Sequence, residues 1–107
     1  MNRYASVLRM PPENLARYAE LHAVVWPGIL AKITECNIRN YSIYHRGGWL
    51  FSYFEYVGED YAADMARMAA DPLTQEWWDV CKPLQQPLED RADGEWWASM
   101  DELFHLD

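Results

Sequence analysis

The sequence predicts an α+β fold in which helices cover one face of a four-stranded antiparallel sheet. Three observations predict it. Segments rich in aromatic and β-branched residues alternate with segments of helical periodicity, two strand-like segments are separated only by Gly47-Gly48, and the order is strand, helix, strand, strand, helix, strand. A chain of 107 residues is expected to form one domain, residues 1–107.

The first strand is predicted in NRYASVLRM, which alternates loosely between apolar and polar residues and ends at Pro11-Pro12. A helix is predicted next, because larger side chains recur at spacings of three and four residues: Leu15, Tyr18, Leu21, His22, Val25 and Trp26. Pro27 is expected to break or kink this helix. The helical pattern then resumes in GILAKITECN, and Asn37 is predicted to end it in the left-handed conformation.

A hairpin is predicted from IRNYSIYHR and WLFSYFEYV, since Gly47-Gly48 between them supplies the positive φ angles of a tight turn. Alternation in the first of these strands puts two sets of residues on opposite faces: Arg39, Tyr41, Ile43 and His45 on one, and Asn40, Ser42 and Tyr44 on the other. The sequence does not decide which face meets the helices.

The second helical region is EDYAADMARMAAD followed, after the interruption at Asp71-Pro72, by LTQEWWDVC. A polar, proline-bearing loop comes next, and WWASMDELFHLD is expected to supply the last strand. This order is that of a ferredoxin-like βαββαβ domain. One face of such a sheet stays bare, and a second copy of the chain is the simplest cover, so we expect a homodimer.

Composition limits the class of partner. The formal net charge of −8 disfavours nucleic acid and anionic membrane surfaces. The two cysteines, Cys36 and Cys81, have no metal-ligand spacing and cannot form a disulfide framework, which fits a reducing cytoplasm. The sequence lacks a signal-peptide pattern and any apolar run of the roughly 18 to 20 residues that a membrane span needs.

The sequence also lacks the motifs of several reaction classes. It has no GxGxxG, GxxxxGK or GxSxG motif and no paired histidines at metal spacing. Its basic residues are scattered, so no phosphate clamp is predicted. We therefore expect no metal and no cofactor, and a small neutral molecule as the ligand.

His22 is the first candidate for chemistry, because an imidazole both gives and takes a proton near neutral pH. Tyr18, one helical turn earlier, offers a hydroxyl to the same space. On pattern alone a hydrogen-bonded core histidine is the favoured interpretation of His22, and Tyr18 is equally typical of a half-buried tyrosine.

Trp77-Trp78 is the second candidate. Adjacent helical residues diverge by about 100° around the axis, so one ring is expected to face a pocket, where an indole stacks well on a neutral sugar. The alternative is a core tryptophan beside one at a dimer interface. Trp96, Trp97 and His105 are interpreted as packing and interface residues.

Together, RYAELHAVVWPGI, NYSIYHRGGWLFSYFEY, TQEWWDV and DELFHLD resemble the L-rhamnose mutarotase family over nearly the whole chain. The resemblance implies a dimeric α+β barrel that needs no cofactor. It also implies a proton donor at His22 and sugar-binding residues at Tyr18, Tyr41, Trp77 and Trp78. The reaction implied is interconversion of the α and β anomers of a 6-deoxyhexose through its open aldehyde, with His22 as the acid on the ring oxygen.

The sequence leaves three questions open: the sugar, the base and the class of protein. The family commonly has an acidic residue after its WP dipeptide, where this chain has Gly28, so L-fucose rivals L-rhamnose as substrate. The base is Tyr18, Tyr41, a water or His22 itself. A noncatalytic or monooxygenase-like barrel protein that binds a small apolar ligand is the alternative from another class.

Overall fold

The computed structural model describes residues 1–107, and its elements follow the predicted order. The strands are β1 (Asn2–Arg9), β2 (Ile38–Arg46), β3 (Trp49–Tyr56) and β4 (Ala98–Met100). The helices are α1 (Leu15–Ala23), α2 (Pro27–Glu35), α3 (Tyr61–Ala70) and α4 (Pro72–Cys81). All strand pairs are antiparallel in the order β2-β3-β1-β4, so the predicted ferredoxin-like α+β class is confirmed.

Each helical region is divided at a proline. Pro27 and Pro72 lie in the first turn of α2 and α4, where the missing N–H of proline removes no helical hydrogen bond. Asp71 caps α4, since its carboxylate accepts hydrogen bonds from the backbone N–H of Thr74 at 3.0 Å and from the Thr74 hydroxyl at 2.9 Å. Both prolines therefore begin a new helix instead of kinking an existing one.

Two turns depend on positive φ angles, as the sequence indicates. Gly47 and Gly48 join β2 to β3 with φ values of 56° and 84°. These values suit the tight turn whose twist matches that of the flanking strands. Asn37 follows α2 with a φ of 68°, which confirms the left-handed stop.

A bulge in β2 corrects one prediction. The register shifts between Arg39 and Ser42, and Asn40 adopts a φ of 51°. An extra residue in one strand reverses the alternation of faces beyond it. As a result Arg39 pairs with Glu55 and does not share the face of Tyr41, Ile43 and His45, so the predicted set was wrong at Arg39.

The last strand is shorter than predicted. β4 pairs with Ala5–Val7 of β1 over three residues only. Beyond Met100 the chain continues without regular structure, although Arg3 and Glu102 form an ion pair at 3.1 Å. Leu103, Phe104 and Leu106 in this tail are exposed.

The core lies between the helices and one face of the sheet. Leu8 and Leu50 supply that face, and Ile29 of α2 and Trp77 and Cys81 of α4 pack against it. The opposite face carries exposed apolar side chains, among which Tyr44 is 66% and Phe51 37% exposed. None of the helices has both the length and the apolar composition required to cross a membrane.

Candidate active site

A cavity of about 690 Å³ opens between the helices and the inner face of the sheet. Its walls include all the residues proposed from the sequence for substrate handling: Tyr18, His22, Tyr41, Trp77 and Trp78. Residues separated by up to 60 positions along the chain thus reach one space, and the fold is what brings them together.

Tyr18 and His22 lie one turn apart on α1, and their rings stack with centroids 4.1 Å apart. The Nδ1 atom of His22 lies 2.9 Å from the backbone carbonyl oxygen of Tyr18. A carbonyl oxygen only accepts hydrogen bonds, so Nδ1 carries the proton and donates it. In the neutral imidazole the lone pair is therefore on Nε2.

The surroundings of His22 favour that neutral form. Burial lowers the pKa of His22, and the hydrogen bond to the Tyr18 carbonyl opposes this shift in part. Trp77 closes one side of the imidazole in an edge-to-face contact with a centroid distance of 5.3 Å. Near pH 7 His22 thus presents an unprotonated Nε2 that is able to take a proton.

The Tyr18 hydroxyl belongs to a second hydrogen-bonded chain. Gln85 donates to it from Nε2 at 3.0 Å, and Trp96 donates from its indole nitrogen to Gln85 Oε1 at 2.8 Å. Burial raises the pKa of Tyr18, with the Gln85 bond opposing the shift. Tyr18 therefore keeps its proton at neutral pH and acts as a hydroxyl, not a phenolate.

Trp77 and Trp78 have different surroundings, although they are adjacent. Trp77 is 7% exposed and packs edge-to-face on Trp26 at 5.0 Å as well as on His22. Trp78 is half-buried, and the ammonium group of Lys82 lies 4.7 Å from its ring. Trp77 is thus a core residue that reaches the cavity, and Trp78 forms an accessible part of its wall.

Tyr41 enters the cavity from the strand that carries the bulge. The residue as a whole is 41% exposed, yet burial around its hydroxyl raises the pKa of Tyr41 to about 12. Its ring meets Phe54 edge-on at 5.5 Å. Tyr41 thus adds a second protonated hydroxyl to the cavity at neutral pH.

Several wall residues were missed by sequence reasoning. Gln85 lies in a proline-bearing loop without periodicity, and Trp96 was interpreted as packing. Tyr61 stacks on Tyr4 at 4.3 Å, which lines the cavity with further aromatic rings near Phe54. The sequence pattern marked Tyr4 and Phe54 only as residues of the first strand and of the hairpin, not as parts of a site.

The arrangement combines proton transfer with stacking. It offers an imidazole with a free Nε2, two protonated tyrosine hydroxyls and indole faces, a set that suits a small polar ligand with apolar C–H surfaces. Burial raises the pKa of the Cys81 thiol to about 11, so this side chain stays uncharged. No three His, Cys, Asp or Glu side chains are grouped as metal ligands.

Comparison with known proteins identifies the family. A sequence model described as L-rhamnose mutarotase matches residues 3–106. The L-rhamnose mutarotase of Oceanobacillus iheyensis is 28% identical over 109 residues, with all of both chains covered. The L-fucose mutarotase of Xanthomonas campestris pv. campestris is 34% identical over 96 residues, which cover 86% of this chain and 76% of that protein.

A solved structure agrees at the level of the fold. The crystal structure of L-rhamnose mutarotase from Formosa agariphila superposes with a TM-score of 0.79 at 19% identity and covers 100% of both chains. With a family match over nearly its whole length, this chain belongs to the L-rhamnose mutarotase family.

Proposed function

We propose that this protein interconverts the α and β anomers of a 6-deoxyhexose, with L-rhamnose as the first candidate. As a member of a mutarotase family it is an isomerase. The observation that carries the proposal is the Tyr18–His22 pair, which faces a cavity also lined by Trp77 and Trp78. The pair supplies proton transfer, and the indoles supply a surface on which a pyranose ring stacks.

His22 carries the proton in this proposal. Its Nε2 takes the proton of the anomeric hydroxyl, and the imidazolium then delivers it to the ring oxygen as the bond between that oxygen and the anomeric carbon breaks. The aldehyde forms without net change in protonation. After rotation of the aldehyde, the same steps in reverse close the ring on its other face. Both oxygens are bonded to one carbon, so one imidazole serves both as base and as acid.

The other cavity residues hold the sugar. Tyr18 and Tyr41 donate hydrogen bonds to sugar oxygens, because both remain protonated at neutral pH. Trp77 and Trp78 contact its C–H faces. The C6 methyl group of a 6-deoxy sugar makes no hydrogen bond and suits an apolar wall such as the one that Met65 contributes to.

L-fucose is the second candidate, since the 34% identical relative is an L-fucose mutarotase. Gly28, where this chain departs from the usual family pattern, is not among the residues that line the cavity. A side chain at this position would contact Leu73 of α4. Any effect of Gly28 on substrate choice would therefore act through the packing of α2 on α4.

We further propose that the protein is a cytoplasmic homodimer and that residues 1–107 form one domain. The exposed apolar face of the sheet supports the dimer, because burial of this face by a second copy removes Tyr44 and Phe51 from water. The two buried free thiols, Cys36 and Cys81, support a reducing compartment. Cell fractionation with a specific antibody tests the location.

The deciding experiment measures anomeric exchange by NMR saturation transfer between the α and β signals of L-rhamnose and, in parallel, of L-fucose. We expect the exchange rate of at least one sugar to rise in proportion to protein concentration, and the larger kcat/KM identifies the preferred substrate. If the protein accelerates neither exchange, the proposed function is wrong, and a barrel protein that binds an apolar ligand becomes the better interpretation.

A further inference from the structure

Gln85 lies in the loop after α4 and links two other cavity residues. It donates to the Tyr18 hydroxyl at 3.0 Å and accepts from Trp96 at 2.8 Å. The direction of both bonds is fixed by chemistry, because an indole N–H only donates. The amide oxygen of Gln85 must therefore face Trp96, which leaves its NH₂ group facing Tyr18.

This polarity determines what the Tyr18 hydroxyl does. A hydroxyl that accepts a hydrogen bond from Gln85 has its own proton free for another partner. No side chain or backbone group of the protein accepts a hydrogen bond from the Tyr18 hydroxyl, which only accepts one from Gln85. Since the Tyr18 ring is held against His22 in the cavity wall, an oxygen of a bound sugar is the available acceptor.

We propose that Gln85, oriented by Trp96, is a positioning residue that makes the Tyr18 hydroxyl a hydrogen-bond donor to the reacting sugar. The inference rests on the proposed function and adds to it a direction for the hydrogen bond. As the ring opens, electron density grows on the sugar oxygens, and a donor that is already oriented stabilises this charge without reorganisation. The ammonium group of Lys82 lies 5.2 Å from the centre of the Trp96 ring, and this cation–π contact helps to hold Trp96 in place.

The substitution Gln85→Glu tests the direction of the bond, because it keeps the shape of the side chain and changes the polarity. A carboxylate only accepts, so Tyr18 would have to donate to it and could no longer donate to the sugar. We expect kcat at pH 8 to fall on the order of 10-fold or more, as for loss of one oriented donor. Gln86→Glu makes the same change on the exposed neighbouring residue and controls for the added charge.

A pH profile separates positioning from structural support. When the new carboxyl group is protonated it regains an O–H donor for Tyr18, so the ratio of Gln85→Glu activity to wild-type activity should recover as the pH falls from 8 to 5. A ratio that is near one at pH 8, or low and constant with pH, would overturn the proposal. The titratable groups that line the same cavity are Arg3, Tyr4, Tyr18, His22, Tyr41, Tyr53, Tyr61, Cys81, Lys82, Asp101, Glu102 and His105.

A double-mutant cycle gives an independent test if Gln85→Glu folds poorly. Trp96→Phe removes the indole donor that orients the amide, and we expect kcat to fall several-fold. In a Gln85→Met background there is no amide to orient, so Trp96→Phe should then lower kcat only slightly. An equal fall in kcat in both backgrounds would show that Trp96 acts by packing alone. An inactive wild-type protein would instead refute the proposed function, which keeps the two failures distinct.

Discussion

His22 stacks on Tyr18 with ring centroids 4.1 Å apart, and its Nδ1 lies 2.9 Å from the carbonyl oxygen of the same tyrosine. A single residue thus sets both the plane of the imidazole and the position of its proton. Helix geometry brings residues four apart to one face, so a short segment of α1 creates a proton acceptor next to a hydroxyl. Every prediction about proton transfer in this protein depends on that pair.

The substitution His22→Asn separates the chemical role of His22 from its structural one. The asparagine amide can still donate to the Tyr18 carbonyl from about the position of Nδ1, but it has no group in place of Nε2. We expect the rate of anomeric exchange to fall about 10²- to 10⁴-fold, as for removal of a general acid or base. Saturation transfer NMR measures the rate, and circular dichroism checks the fold.

The exposed residue His45 provides the control, since His45→Asn removes an imidazole outside the cavity wall. The His45→Asn protein should accelerate anomeric exchange at the same rate as the wild type. A His22→Asn protein with wild-type exchange would rule out His22 as the proton carrier.

The pH dependence of activity should follow the protonation of His22. Burial lowers its pKa from the usual 6.5, so Nε2 is free at pH 7 and becomes protonated only at lower pH. After subtraction of the uncatalysed exchange, kcat/KM should be flat near pH 7 and decline as the pH falls, with a midpoint below 6.5. Activity that instead rises as the pH falls through this range would mean that the active form is the protonated imidazole, and a midpoint above 6.5 would mean that burial does not lower the pKa of His22.

Stability should change over the same range of pH. In the unfolded chain His22 has its ordinary pKa near 6.5, so below about this pH the unfolded state binds more protons than the folded state. The contribution of His22 to the free energy of unfolding is thus complete above about pH 6.5 and is lost as the pH falls through the folded pKa. Urea titrations at several pH values measure this contribution, and the His22→Asn protein should not show the loss of stability that comes from His22.

The same titrations test the proposal of one domain, for which a single unfolding transition is expected.

The two adjacent tryptophans should respond differently to truncation. Trp77 is 7% exposed and packs on Trp26 and His22, so Trp77→Ala should lower the free energy of unfolding by about 3–5 kcal/mol. Trp78 is more accessible, and Trp78→Ala should mainly raise KM, with a smaller loss of stability.

Urea unfolding and the kinetics of anomeric exchange on the same preparations distinguish these effects. Trp78→Phe keeps an aromatic face and should restore most of the affinity. If KM is unchanged in Trp78→Ala, Trp78 does not stack on the sugar.

Local periodicity was sufficient to predict the helices, the hairpin and the Tyr18–His22 pair. Their residues are close in sequence, and the spacing of a helix or a strand fixes which side chains meet. The error at Arg39 shows where this reasoning stops. The bulge at Asn40 shifts the alternation by one residue, and the alternating pattern of IRNYSIYHR does not mark where the extra residue lies.

The hydrogen-bonded chain from Trp96 through Gln85 to Tyr18 could not be predicted from the sequence. It joins α1 to a loop 67 residues further along the chain, and neither Gln85 nor Trp96 belongs to a periodic segment. Its geometry is set by the tertiary path of that loop, where the backbone of Gln86 pairs with Arg9 at the end of β1. Only the folded structure places the amide beside the hydroxyl.

A charge on the outer face of the sheet should dissociate the proposed homodimer. Phe51 of β3 lies between Val7 of β1 and Tyr44 of β2 and is 37% exposed. In a monomer the carboxylate of Phe51→Glu would remain in water. In a dimer formed by the outer faces of two sheets it would be buried, which is unfavourable. Light scattering should give twice the 12.6 kDa chain mass for the wild type and the single mass for the variant. Leu30→Glu places the same charge on an exposed apolar site of α2 and should remain dimeric. A monomeric wild type would exclude the dimer, whereas a dimeric Phe51→Glu protein would mean that the copies associate through another surface.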